Sequence, residues 1–249
     1  GMSNSSYSQP PVKDKEKILA TGYRANGSVI EGKYHIYPEQ AAAGLWTNPT
    51  DLAAYIIETQ LSLQGKSNKV LNTAMTKLRL TPYIDSNAAL GTFISRKGNE
   101  KYFSHGGANE GFRCQYYGSV DSGDGVVVMV NSDNGRILDE IINSVATVYG
   151  WKDFYTPVVR KTVIVPADLL NEYAGKYVLD KDTVTINTSG KAMLVVNNVQ
   201  YYPIYFFTDH DFFSPDLPFN LKFEKDANGK INDIYFKNDG GEMRAKRIE

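Results

Sequence analysis

The sequence of 249 residues predicts an α+β fold: helices packed on an antiparallel sheet first, then a small all-β barrel. Three observations carry this expectation. An apolar stripe of helical period begins just past residue 48, behind a polar cap and a proline. Four apolar runs of strand texture follow between residues 90 and 132, and an amphipathic segment closes them. From Pro166 to the end, short strand-like runs recur at regular spacing with turn residues between them, the texture of a small barrel or sandwich.

Taken in order, residues 1–40 are loop-like, and only "NGSVIEGKY" suggests a small hairpin. The first strong helix starts at Asn48, a good N-cap, with Pro49 at the first helical position and Asp51 at the positive end of the dipole. Leu52, Tyr55, Ile56 and Leu63 form its apolar stripe and Gly65 its stop. A shorter helix is expected over residues 70–78. Then the period changes to that of strands: "LGTFISR", "KYFSHGG", "FRCQYYGSV" and "GVVVMVNS", with hairpin turns in "RKGNE" and "DSGDG". The uninterrupted apolar run "GVVVMV" fits a central strand covered on both faces. After it, Ile137, Ile141 and Val145 repeat at four residues, as do Leu138 and Ile142, an amphipathic helix able to pack on the sheet. The late strands are separated by turns such as "TSG", "ANGK" and "NDGG". The expected division is a first domain over residues 1–155, a linker over 156–165 and a barrel over 166–249.

Apolar residues make up 42% and charged residues 22%, an ordinary globular composition. Formal net charge is −1, from 27 basic and 28 acidic side chains, which argues against electrostatic binding of nucleic acid. The lone Cys114 excludes an intrachain disulfide and a cysteine-based metal site. His35, His105 and His210 are far apart and no carboxylate–histidine pairing stands out, so no metal and no cofactor is expected. No run is long enough for a transmembrane helix and no signal peptide is visible.

The stretch "KYFSHGGANEGFRCQYYG" carries the chemistry. Glycines weaken a strand unless something must approach its backbone closely. The imidazole of His105 suits an acid, base or hydrogen-bond donor, and the glycines after it expose N–H groups fit for an oxyanion hole. The plain alternative is a strand histidine turned to solvent. "GGANEG" lacks the lysine and the strand–loop–helix setting of a phosphate loop, and there is no Gly-x-Ser-x-Gly elbow.

"YPEQAAAGLWTNPTDLAAYI", "YFSHGGANEGFRCQYYGS" and "GVVVMVNSDNG" with its closing helix stand in an order that resembles the second half of a serine β-lactamase-like domain. That superfamily includes class C β-lactamases, D-alanyl-D-alanine carboxypeptidases, D-aminopeptidases and esterases. The resemblance covers about residues 1–150. It implies a partial β-lactamase-like domain, and residues 166–249, with "EYAGKYVL", resemble the lipocalin-like barrel that often follows. "HGG" resembles the third active-site motif, Lys-Thr-Gly in many members and His-x-Gly in others. Carried over, His105 faces the substrate, Gly106, Gly107 and Ala108 line its path with the Ala108 N–H as an oxyanion donor, and Asn109 and Glu110 line the rim.

The family's acyl-enzyme chemistry also needs Ser-x-x-Lys and a Tyr-x-Asn (or Ser-x-Asn) loop. Ser-x-x-Lys is not found: Ser62 is followed by "LQG", Ser95 by "RKG" and Ser189 by "GKA"; Tyr-x-Asn is absent too, since Tyr23 leads into "RAN". The resemblance therefore implies a C-terminal half of a hydrolase, inactive alone. Its substrate in the complete enzyme would be a small peptide, ester or β-lactam. A sheet missing strands exposes an edge, so a homo-oligomer or association with an N-terminal fragment is expected. Relatives are mostly periplasmic or envelope-associated. The competing expectations are a non-catalytic binding module that uses the aromatic-rich barrel, and an unrelated mechanism around His105.

Overall fold

The computed structural model describes residues 1–189, 192–198, 200–217, 219–238 and 241–249. The chain divides into two compact units, Gly1–Pro157 and Val158–Glu249.

In the first unit, a 3-10 turn at Lys13–Ile18 and a short helix α1 (Gln40–Ala43) precede α2 (Pro49–Leu63) and α3 (Thr73–Arg79). The Asn48 side chain accepts from the Asp51 N–H at 2.8 Å, and Pro49 opens the helix. Gly65, at φ +70°, follows its end. Asp51 does more than complement the dipole. It is buried, and its Oδ2 accepts from the Asn4 N–H and the Ser5 hydroxyl, each at 2.8 Å. This ties the N-terminal segment to the helix.

The sheet is antiparallel and runs in chain order: β1 (Ala88–Ala89), β2 (Thr92–Lys97), β3 (Glu100–Asn109), β4 (Phe112–Ser119) and β5 (Gly125–Val130). One face packs on α2 through Ile56, Leu80, Ile94, Phe103 and Tyr116. The other packs on helix α4 (Arg136–Val148) through Tyr102, Val128, Leu138 and Ile142. Close approach of α2 requires Gly118 and Gly125, since a Cβ on Gly118 would lie 2.8 Å from Ile56 and one on Gly125 3.0 Å from it. Two expectations change here. "GVVVMV" is an edge strand among the described residues, not a central one. Its unbroken apolarity reports two covered faces, and edge position leaves those faces covered. On α4, the Leu138–Ile142–Ala146 stripe meets the sheet and Val145 packs partly buried beside it, while Ile137 and Ile141 stay 40% and 39% exposed.

The second unit opens with α5 (Ala167–Tyr173), a helix the strand-rich reading of this region missed. Then come β6 (Gly175–Leu179), β7 (Asp182–Asn187), β8 (Met193–Val196), β9 (Gln200–Pro203), β10 (Tyr205–Phe206), β11 (Asp211–Phe213), β12 (Asn220–Lys225), β13 (Ile231–Asn238) and β14 (Gly241–Arg247). They form one antiparallel sheet in the order β10-β11-β12-β13-β14-β6-β7-β8-β9. Its first and last strands are separated in the chain by Ile204 alone, so the sheet is nearly closed and barrel-like. Tyr173, Tyr177, Phe206, Phe212 and Phe223 are buried in its core, the Tyr173 and Phe223 rings stacked 4.0 Å apart. The turns at "TSG" and "NDGG" run onto residues 190, 239 and 240, which lie outside the described residues.

Candidate active site

Strand β2 pairs with β3 only as far as Ser104, opposite Phe93. Strand β4 pairs with β3 all the way to Asn109. Residues 105–109 therefore have a ladder partner on one side only among the described residues. Backbone groups point to alternate sides along a strand. The Ser104 carbonyl accepts from the Thr92 hydroxyl at 2.9 Å, on the β2 side. By that alternation Gly106 and Ala108 direct their N–H and C=O groups to the same side, where β2 has ended. His105 and Gly107 direct theirs to β4. An open edge of this kind can pair with an extended ligand.

His105 stands at the start of the open run and is exposed. Its Nδ1 lies 2.6 Å from the Gly106 carbonyl oxygen. A carbonyl only accepts, so Nδ1 carries the proton and Nε2 is the other working nitrogen. The imidazole also lies 5.3 Å from the Phe93 ring, tilted by 32°.

Space around the two glycines after it is limited by side chains of the adjacent strand, at Gly106 only by the end of a flexible glutamine. Neither has positive φ. A Cβ on Gly106 would lie 2.7 Å from Gln115 Oε1, and one on Gly107 2.6 Å from Cys114 Sγ. The space over Gly107 is thus filled by the adjacent strand, and the backbone stands open in the plane of the sheet, at its edge. Burial pushes the Cys114 thiol up, against a weaker opposing effect of the Gly107 backbone, so it stays protonated and a poor nucleophile near neutrality.

Ala108 is exposed opposite Arg113. The next two residues are engaged in holding the turn. Asn109 Nδ2 donates to the Ala43 carbonyl at 2.8 Å, and the Glu110 N–H donates to the Tyr37 hydroxyl at 2.9 Å. The Glu110 carboxylate pairs with His35 Nε2 at 2.8 Å and with Arg24. This is a carboxylate–histidine pair that spacing did not reveal, because the partners meet only through the fold. From the other side, Arg113 pairs with Asp133 at 2.9 Å and donates to the carbonyls of Phe112, at 2.8 Å, and Asn109. Asp133 Oδ1 also accepts from the Gly111 N–H at 2.9 Å. Gly111 itself has φ +79°, a conformation glycine adopts freely. Sequence reasoning missed Arg113 and Asp133: the first belongs to no motif and the second fills a motif position of unspecified type. Asp133 does sit inside one Ser-x-Asn triplet, Ser132 to Asn134. Its carboxylate is committed to the turn clasp, and Ser132 Oγ accepts from the Asn134 N–H at 3.1 Å.

A family model described as Beta-lactamase matches residues 1–144. The chain belongs to the beta-lactamase family. The match includes the whole five-stranded sheet and ends within α4. Among solved structures, the chain is similar to the octameric penicillin-binding protein homologue from Pyrococcus abyssi at 16% identity and TM-score 0.49, over 98% of this chain and 56% of that one. It is similar to SurE at 18% identity and TM-score 0.46, over 92% and 56%. It is similar to SurE with D-Leu at 17% identity and TM-score 0.39, over 82% and 51%. The chain spans about half the length of these structures. A search of curated proteins returns no match.

Proposed function

We propose that this beta-lactamase-family chain is the C-terminal portion of a serine hydrolase of the β-lactamase, carboxypeptidase and esterase superfamily, acting through an acyl-enzyme. In this reading His105 is the third-motif side chain. Gly106, Gly107 and Ala108 line the substrate path, with the Ala108 N–H as an oxyanion donor, and Asn109 and Glu110 form the rim. One observation carries the reading: the run after His105 has lost its β2 partner, and Gly106 and Ala108 direct their amides to that open side. A substrate amide or ester laid along the edge meets donors fixed in advance, which is the requirement for stabilising developing oxyanion charge.

The acyl-forming serine, its lysine and the tyrosine would come from polypeptide outside these 249 residues. The chain alone is then inactive, because binding and oxyanion donors without a nucleophile leave little catalysis. The substrate would be a small peptide, an ester or a β-lactam. Association with the complementary fragment or with further copies fits the exposed Tyr83 and Ile84, 84% and 93% accessible. The proposed division is a hydrolase portion over residues 1–155, a linker over 156–165 and a lipocalin-like barrel over 166–249. Use of that barrel as a ligand carrier is disfavoured by the buried aromatic rings that occupy its core.

A fluorophosphonate or penicillin probe tests this. The isolated chain is expected to remain unlabelled. Supplying the upstream polypeptide with Ser-x-x-Lys should restore labelling, and His105→Ala should slow it by about 10²–10⁴-fold, the usual worth of a positioned acid or base. Specific acylation of the isolated chain, or undiminished labelling with His105→Ala, would overturn the reading.

A further inference from the structure

Phe93 is 49% exposed and stands outside the buried apolar clusters of its unit. A half-exposed phenylalanine at a strand start contributes little to the core, so its contact must be sought at the surface. That contact is His105, ring to ring at 5.3 Å and 32°. Phe93 pairs with Ser104, one residue before His105. Its ring therefore reaches past its own partner to flank the imidazole. Nδ1 of the same ring is held by the Gly106 carbonyl at 2.6 Å. Tyr116, the direct cross-strand neighbour of His105, is buried, and its hydroxyl faces Thr92 at 3.4 Å. Among the described residues no carboxylate pairs with His105, whereas His35 and His210 each face one.

We propose that Phe93 is a positioning residue for His105: with the Gly106 carbonyl it holds the imidazole as the Nδ1–H tautomer, with an unprotonated Nε2 presented at the open edge of β3. This deepens the function above and rests on the reading of His105 as the third-motif side chain. It assigns a direction to the chemistry. An Nε2 without a proton accepts a hydrogen bond from a hydroxyl or an amide N–H. In that tautomer the ring carries no positive charge, unlike the lysine found in Lys-Thr-Gly relatives. Substrates without an obligatory carboxylate, neutral esters and amides, fit it best.

Long-range ¹H–¹⁵N NMR of the ring nitrogens in the 249-residue chain reads the tautomer directly, with His105→Gln assigning the resonances. At a pH where the ring is neutral, the Nδ1–H form should exceed the Nε2–H form on the order of tenfold, the worth of one net hydrogen bond. Phe93→Ala should lower that ratio several-fold with the thermal midpoint nearly unchanged, and Phe93→Tyr should restore it. A predominant Nε2–H form in the wild type, or a ratio indifferent to Phe93→Ala, overturns the proposal. No nucleophile is needed for this measurement. A locked tautomer combined with probe labelling indifferent to His105→Ala would sink the hydrolase reading and leave the positioning role standing.

Discussion

At the scale of single residues, the glycine at 107 is specified by what lies across the strand. Gly107 has no room for a methyl group because Cys114 Sγ occupies it. Gly107→Ala should destabilise the first unit by about 1–3 kcal/mol, as overpacking does. The double variant Gly107→Ala with Cys114→Ala should regain most of that loss in a chemical denaturation series. Equal loss in the single and double variants would show that the clash lies elsewhere. The same burial makes Cys114 sluggish. Its alkylation by iodoacetamide at neutral pH should be slower by about tenfold or more than that of a free cysteine peptide, since only thiolate reacts.

At the scale of elements, the local rules and the packing can be separated by experiment. Helix α2 owes its start to Asn48, whose side chain satisfies the Asp51 N–H. Asn48→Ala should cost about 1 kcal/mol and Asn48→Asp much less, read as a shift in the denaturation midpoint. Helix α4 carries two stripes one residue apart. Ile142 is 1% exposed against the sheet and Ile141 is 39% exposed. Ile142→Ala should cost about 2–5 kcal/mol, the usual range for a buried aliphatic residue cut to alanine. Ile141→Ala should leave stability nearly unchanged in the same assay. Comparable losses at both positions would mean that the outer stripe is covered as well.

At the scale of the whole molecule, each unit has its own core, and the second should respond to alkali. Burial, aided by nearby acidic groups for Tyr173 and opposed by Arg247 for Tyr177, holds both phenols up to about 12. In the unfolded chain a tyrosine releases its proton near ~10. Between these values the folded unit retains protons that the unfolded chain has lost. The stabilisation is therefore complete below about pH 10 and is lost as pH rises toward about 12. Urea denaturation of the chain, followed by far-ultraviolet circular dichroism, should show stability falling in that window. Tyr177→Phe should flatten the fall by up to about one proton's worth of slope. A pH-independent midpoint through this range would contradict the assignment.

The sequence by itself determined the elements whose information is local. Asn48, Pro49 and Gly65 marked the ends of α2, because caps and stops act within one turn of the chain. The short apolar runs of residues 90–132, bounded by glycine-rich turns, marked the strands, because run length and turn residues are local signals. The order of three separated segments pointed to the family that residues 1–144 match. Only the tertiary structure decided what depends on which elements meet. It put "GVVVMV" at an edge among the described residues, buried Leu138, Ile142 and Ala146 of α4 while leaving Ile137 and Ile141 half-exposed, and filled the space over Gly107 with Cys114. It joined Glu110 to His35 and Arg24, and Arg113 to Asp133, around one turn. The reason is the same in each case. Propensity and period are properties of a few consecutive residues, whereas partnership across a sheet is set by where β2 ends and β4 continues, and no stretch of sequence around His105 records that.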